Sequence, residues 1–317
     1  VGTHALLTED TEFERLGLVI TDEQHRFGVT QRGKLSAKGN NPHTLVMSAT
    51  PIPRTLGLII YGDLDISIID EYPRGRQQID TFCVNSSYRQ RVYNYIKGFL
   101  NEGRQGYIVC PLVEENETLD ITSAEEYYEK LKNGEFKGYN IGLLHGKMKP
   151  KEKDAVMRAF KDGEIQLLVA TTVIEVGIDV PNAVVMVIEN AERFGLSQLH
   201  QLRGRIGRGS YKSSCILISD SRSEDTKKRL NVIKNNRDGF KIADEDLKLR
   251  GPGDFLGSRQ HGLPDMKIAD IFADREILHS AGREAEKMLA EDPALSLPEH
   301  RLLRKEIAEL YKKLNQN

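Results

Sequence analysis

The sequence is poor in cysteine. Three occur in 317 residues, Cys83, Cys110 and Cys215, far apart and with no CxxC pair. That excludes a disulfide scaffold. Each lies in or beside an apolar run, so buried free thiols in a reducing cytoplasm are expected. Eight histidines show no metal-ligand spacing, and no structural zinc is expected. No apolar run approaches the length that crosses a bilayer, and no signal-peptide pattern is present, so no membrane partner is expected. A phosphate-cradling Gly-x₄-Gly-Lys-Ser/Thr loop is also missing. Gly146-Lys147 is followed by Met148 and lacks the first glycine at the needed spacing. Charge of one sign is not abundant either: the net charge is −2, which argues against a general nucleic-acid coat. Its distribution is uneven. Gln201 to Gln260 holds 14 Lys+Arg against 8 Asp+Glu. A basic stretch on a near-neutral chain suits a bounded anionic partner.

What is present centres on Gln198 to Gly209, QLHQLRGRIGRG. This reads as a short helix running into a glycine-hinged turn. Arg205 and Arg208, three residues apart, project to one side of a helical turn. A guanidinium fork fits phosphate oxygens, and glycines let a ligand approach the backbone, so a polyphosphate site is expected. The competing reading is a solvated basic helix.

The length implies two or more domains. Leu16 to Ile20 is an apolar run ending in Thr21, Asp22 and Glu23, read as a buried parallel strand that delivers two carboxylates at its carboxyl edge. Asp22 could hold Mg²⁺, and Glu23 could orient an attacking water. Thr44 to Met47 is a second apolar run, ending in Ser48, Ala49, Thr50 and Pro51. Glu71 to Arg76 reads as a linker broken by Pro73 and Gly75. After it, strands are expected at 79–84, 106–110, 139–144, 165–170, 184–188 and 214–218, alternating with helices at 87–102, 125–132, 151–162 and 196–202. Residues 114–123 are expected as an acidic, mobile loop. This alternation predicts a parallel α/β sheet. Its ligand-facing edge is expected to gather His145-Gly146, Thr171-Thr172, Gly177, Asp179, Arg205 and Arg208. Helices at 224–236 and 243–249 read as a hairpin. A glycine-rich loop to Gly262 follows, then two charged helices at 276–291 and 300–314.

Five motifs now stand in order: DEQH (Asp22 to His25), SATPIPRT (Ser48 to Thr55), LLHGKM (Leu143 to Met148), TTVIEVGIDVP (Thr171 to Pro181) and QLRGRIGR (Gln201 to Arg208). Together they resemble the superfamily-two helicases. DEQHRFGVTQR, and Arg229 to Gly262 ending LRGPGDFLGSRQHG, narrow the resemblance to the RecG family, bacterial ATP-dependent DNA helicases that remodel branched DNA. His261 stands where relatives often carry Ser or Thr, a departure at the tip of that loop.

The resemblance implies a RecA-like α/β architecture. Residues 1–72 would be the C-terminal remnant of a first motor domain and 73–222 the second motor domain. Residues 223–317 would carry the helical hairpin, the translocation motif and the C-terminal helices. It implies ATP and Mg²⁺ as cofactors, with Asp22 and Glu23 on the metal and the hydrolytic water. His25, Ser48 and Thr50 would couple hydrolysis to movement. Gly177 and Asp179 would touch ATP, Thr172 would lie nearer the DNA backbone, and Gln201 would assist. Arg205 and Arg208 would act as arginine fingers. Arg229, Arg250 and Gln260 match positions of the translocation motif. The implied function is double-stranded DNA translocation at replication forks and Holliday junctions, for fork reversal and branch migration in recombination and repair. A monomer is implied, and single-strand-binding protein is a candidate partner. Two other readings stay open: a transcription-repair coupling translocase, and an ATPase-inactive DNA-binding or docking module. Without the phosphate loop, the chain is expected to be cut inside its first motor domain and inactive alone.

Overall fold

A computed structural model describes residues 1–8, 11–22, 35, 37–48, 67–69, 71, 77–111, 117–172, 179–250 and 275–314. Contacts divide the chain into two units, 1–51 with 73–242, and 52–72 with 243–317.

The first unit holds a six-stranded sheet, all parallel, in the order β3-β8-β7-β4-β6-β5. The strands are β3 (Ile79–Val84), β4 (Gln105–Val109), β5 (Ile141–Leu144), β6 (Leu167–Ala170), β7 (Ala183–Ile188) and β8 (Ser213–Ile218). Every residue of β4, β6, β7 and β8 is buried. That fits their near-continuous apolar runs, which suit strands covered on both faces.

Alternation along these strands feeds two cores. Tyr107, Val109, Leu168, Ala170, Met186, Ile188, Cys215 and Leu217 join one cluster. Their neighbours Ile108, Cys110, Leu167, Val169, Val185, Val187, Ile216 and Ile218 join the other. The second face is covered by α1 (Arg89–Asn101), whose Val92, Tyr93, Ile96 and Leu100 fall at helical spacing, and by Leu131 of α2 (Glu117–Asn133). The first is covered by α3 (Pro150–Lys161), α4 (Leu196–Arg203) and α5 (Glu224–Asn235). Local signals start these helices. Pro150 opens α3, and the Glu152 carboxylate accepts the Lys149 N–H at 3.0 Å. Gln198 Oε1 accepts the Gly195 N–H before α4. Glu224 and Asp225 sit in the first turn of α5, favoured by the helix dipole.

Two expectations need correction. The stretch read as an acidic loop over 114–123 is helical from Glu117 onward. Acidic residues suit a helix amino terminus as well as they suit a solvated loop. The strand read as buried, here β1 (Leu18–Thr21), pairs in parallel with β2 (His43–Val46), but only Val19 is buried. Leu18, Ile20, Leu45 and Met47 are exposed, and among the described residues that sheet has two strands. Cys110 and Cys215 are buried free thiols, as expected, and Cys83 is half-buried. Burial pushes Cys110 and Cys215 up to about 12, so both stay protonated.

Arg203, the last residue of α4, is buried. Its Nη1 donates to the Ile233 carbonyl at 2.6 Å and to Thr81 Oγ1 at 3.4 Å, and its Nη2 meets His200 Nδ1 at 3.1 Å. One guanidinium thus ties α4 to α5 and to β3. After α5 comes α6 (Gly239–Arg250).

In the second unit, α7 (Arg275–Glu291) and α8 (Arg301–Leu314) are joined by a turn built on Asp292. Asp292 accepts the Leu297 N–H at 2.9 Å, the Ser296 hydroxyl at 2.9 Å and His300 Nδ1 at 2.9 Å. These bonds, led by the backbone donor of Leu297, hold its carboxyl well below the usual range.

Arg203→Ala removes a charged donor from a buried carbonyl and should lower unfolding free energy by about 2–3 kcal/mol, read from urea midpoints. Arg208→Ala, three-tenths exposed, should change it by no more than about 0.5 kcal/mol. Equal losses would contradict the division of labour among these arginines. Asp292→Asn should lower the thermal midpoint at neutral pH. A depressed folded pKa stabilises above the unfolded value and is lost as pH falls through the folded one, so the gap should close as pH drops below about 4. A gap that widens with acid would contradict the turn's electrostatics.

Candidate nucleotide and DNA site

In an all-parallel sheet, residues that precede a strand lie at the amino edge and residues that follow it lie at the carboxyl edge. This rule separates the expected site residues into two groups.

The amino edge holds the arginines. Helix α4 ends where Gly204 closes it, and the turn continues with Arg205 N–H to Leu202 O at 2.9 Å and Ile206 N–H to Arg203 O at 3.3 Å. Gly207 then takes φ +72°, a left-handed conformation that glycine adopts freely. A Cβ there would lie 2.8 Å from Ile79 Cγ1, and one at Gly209 would lie 2.6 Å from the Pro181 carbonyl. The turn is therefore pressed onto the entrances to β3 and β7. Asp179 precedes β7 at the same edge. Arg208 Nη1 meets Asp179 Oδ1 at 3.4 Å, and Arg208 Nε donates to Gly204 O at 3.1 Å. Burial pushes the Tyr107 phenol far up, and the charges of Arg205 and Arg208 pull against that. Both guanidiniums thus lie within electrostatic reach of the Tyr107 hydroxyl on β4. Gln201 is half-buried in α4.

The carboxyl edge holds His145-Gly146 after β5, Thr171-Thr172 after β6 and Glu189 after β7. The expectation that one edge would gather all of these with Asp179, Arg205 and Arg208 is corrected: the sheet puts them at opposite ends. Thr171 is fully buried, Thr172 half-buried, and His145 Nε2 lies 3.3 Å from Glu125 Oε1. Among the described residues, His145 Nδ1 and Thr171 Oγ1 have no hydrogen-bond partner. Glu189 was not singled out from sequence. It is buried and accepts Arg89 Nη2 at 2.8 Å and the Tyr127 hydroxyl at 2.6 Å, fastening α1 and α2 to the end of β7. Its signal was a lone acid ending an apolar strand. Arg229, on α5, donates to the Glu192 and Phe194 carbonyls at 2.9 and 2.8 Å, so it clamps the loop that follows.

Asp22 and Ser48 are brought together. They follow the paired strands β1 and β2, and the Met47 N–H to Thr21 O bond of 2.8 Å extends the pairing to that edge. The Asp22 carboxylate is the hard oxygen donor that Mg²⁺ takes, and the two arginine forks fit phosphate oxygens, so the described residues suit a magnesium nucleotide. Glu23, His25, Thr50, Gly177 and Gln260 lie outside the described residues. Arg250 ends α6, and its side chain also lies outside them. Among the described residues no helix is long and apolar enough to cross a membrane.

The model of the helicase conserved C-terminal domain matches residues 88–210. That of the C-terminal part of domain 3 of the ATP-dependent DNA helicase RecG matches 236–317. The chain is 54% identical over 314 residues to the ATP-dependent DNA helicase RecG of Synechocystis sp., covering 99% of this chain and 38% of that protein. It is 50% identical over 308 residues to that of Bacillus subtilis, covering 97% of this chain and 45% of the relative. A solved structure of RecG bound to a three-way DNA junction superposes with a TM-score of 0.68 at 50% identity, covering 88% of this chain and 35% of that one. The chain thus spans less than half the length of these relatives. A likeness to Dbp5 of S. cerevisiae bound to RNA, TM-score 0.55 at 17% identity over 78% of this chain and 66% of that one, concerns the fold alone. With its RecA-like parallel sheet and this identity along nearly its whole length, the chain belongs to the RecG family.

Proposed function

We propose that the chain is the C-terminal motor portion of an ATP-dependent double-stranded DNA translocase that remodels branched DNA, replication forks and Holliday junctions, in recombination and repair. The observation that carries this is the paired placement of Arg205 and Arg208 on the turn at the amino edge. Relatives named as ATP-dependent DNA helicases, one of them bound to a three-way junction, support the substrate. The motor is divided as 1–72, 73–222 and 223–317, acts in the cytoplasm and works as a monomer. Single-strand-binding protein is a candidate partner.

In this reading ATP brings the phosphates and Mg²⁺ that Asp22 and Glu23 hold, with Glu23 on the water. Gly177 and Asp179 touch the nucleotide, and Gln201 supports the turn. Arg208 must exchange Asp179 for phosphate oxygen. The pair is 3.4 Å long and exposed on both sides, so breaking it costs no more than about 1 kcal/mol. A forked contact to a phosphoryl group, whose charge grows during transfer, outweighs that. Because the arginines come from one domain and the carboxylates from another, hydrolysis depends on closure. Thr172 at the opposite edge grips the DNA backbone. His25, Ser48 and Thr50 pass the nucleotide state across. Arg229, Arg250 and Gln260 act in translocation, Arg229 by holding the loop after β7.

The whole protein should hydrolyse ATP strongly with fork or four-way-junction DNA, and more weakly with linear duplex. Arg208→Ala should lower turnover roughly 10³-fold or more while DNA binding persists. Loss of DNA binding with normal turnover would remove the finger role. Equal stimulation by linear duplex would favour a transcription-repair coupling translocase. The chain alone, which carries no Gly-x₄-Gly-Lys-Ser/Thr sequence, should hydrolyse no ATP.

A further inference from the structure

Three residues beyond Arg208, the same turn ends in an aromatic ring. Tyr211 precedes β8 and is 46% exposed. The guanidinium carbon of Arg104, which precedes β4, lies 3.4 Å from the Tyr211 ring centroid. That is a face-on cation–π contact, and it covers one face of the ring.

Arg104 is not a loose surface side chain. Its Nη1 donates to Asn182 Oδ1 at 2.9 Å, and Asn182 Nδ2 donates in turn to the Gly103 carbonyl at 2.9 Å and to Gln105 Oε1 at 3.2 Å. Gln105 is buried. The ring is thus backed by a guanidinium locked to the entrances of two central strands. Lys212 is drawn aside to Asp80 at 2.9 Å, away from a competing role over the ring. A tyrosine held from behind and open in front is a stacking platform.

Its position selects the ligand. Three residues span at most about 10–11 Å of extended chain, which is comparable to the reach from the terminal phosphate of an extended nucleoside triphosphate to its base. Arg208 and Tyr211 therefore lie within one nucleotide's length of each other on one edge of the sheet, with Arg205 on the same turn. Every nucleobase has a π face, and stacking on an aromatic ring is favourable whichever base is offered. A base is also more weakly hydrated on its faces than the phosphates are, so it is the part of the nucleotide that gains from an aromatic surface.

From this we infer that Tyr211, backed by Arg104, is the base-stacking platform for the nucleotide whose phosphates Arg205 and Arg208 hold. The inference rests on the phosphate reading of those arginines and assigns the base end of the same site. Tyr211 touches the nucleotide, and Arg104 is a positioning residue that acts through the ring. The contact is made to substrate and transition state alike, so it sets KM and leaves kcat unchanged.

The test uses the whole protein with junction DNA. Tyr211→Ala should raise KM for ATP about tenfold with kcat unchanged. Tyr211→Phe, which keeps the face and loses the hydroxyl, should restore the wild-type KM. Arg104→Ala should raise KM by a smaller factor. Inorganic tripolyphosphate, which has no base, should inhibit wild type and Tyr211→Ala equally. An unchanged KM in Tyr211→Ala would overturn the inference, and so would equal weakening of ATP and tripolyphosphate. Arg208→Ala run alongside separates the two claims. If it abolishes turnover while Tyr211→Ala behaves as wild type, only the platform is lost. If Arg208→Ala is fully active, the phosphate reading beneath it falls.

Discussion

Burial of the four central strands on both faces constrains everything else in this molecule. Strands β4, β6, β7 and β8 are buried throughout, so neither face of these four strands is available to a polar ligand. Chemistry is confined to the two edges, and parallel pairing makes those edges unlike. Each connection must leave from the carboxyl edge and re-enter at the amino edge. A residue's edge is then settled by whether it follows or precedes its strand. His145, Thr171 and Glu189 follow theirs. Asp179, Arg104, Arg205, Arg208 and Tyr211 precede theirs. Separation of the edge that carries the arginines from the edge that carries His145, Thr171 and Glu189 is a consequence of topology rather than of any one contact.

The run from Arg203 to Arg208 shows how one short sequence serves both sides of that constraint. Gly204 ends the helix, so Arg203 is the last residue whose direction the helix fixes, and it points inward to the Ile233 carbonyl. Past the glycine the chain turns, and Arg208 comes out to a weak, replaceable carboxylate. The interior arginine makes the platform rigid, since it joins α4 to α5 and β3. Because α5 also carries Arg229 to the loop after β7, the two edges share one rigid backing.

Much of this was legible in the sequence. Apolar runs of four to six residues located all six strands of the main sheet to within about two residues. The apolar runs also put Asp22 and Ser48 each just after a strand, and the parallel pairing of those strands is what the structure adds. The edge of each residue was equally available and was misread. Asp179 stands four residues before Ala183, and a residue ahead of a strand belongs at the amino edge, yet motif proximity suggested one common site. Arg203 could not be separated from Arg205 and Arg208 by residue type, because only the helix end decides which arginine turns inward. Glu189 looked like an ordinary strand-ending acid, since its partners Arg89 and Tyr127 lie far away in sequence. The helix from Glu117 was hidden by composition, because acids favour solvent and a helix amino terminus alike.

Photochemical mapping tests the two-edge account most directly. The whole protein would be labelled separately with 8-azido-ATP and with junction DNA carrying photoreactive backbone groups, and the modified peptides identified. The account predicts nucleotide labels on the turn from Gly204 to Lys212, and DNA labels at His145-Gly146 and Thr171-Thr172. Both labels on the same edge, or DNA on the arginine turn, would contradict it.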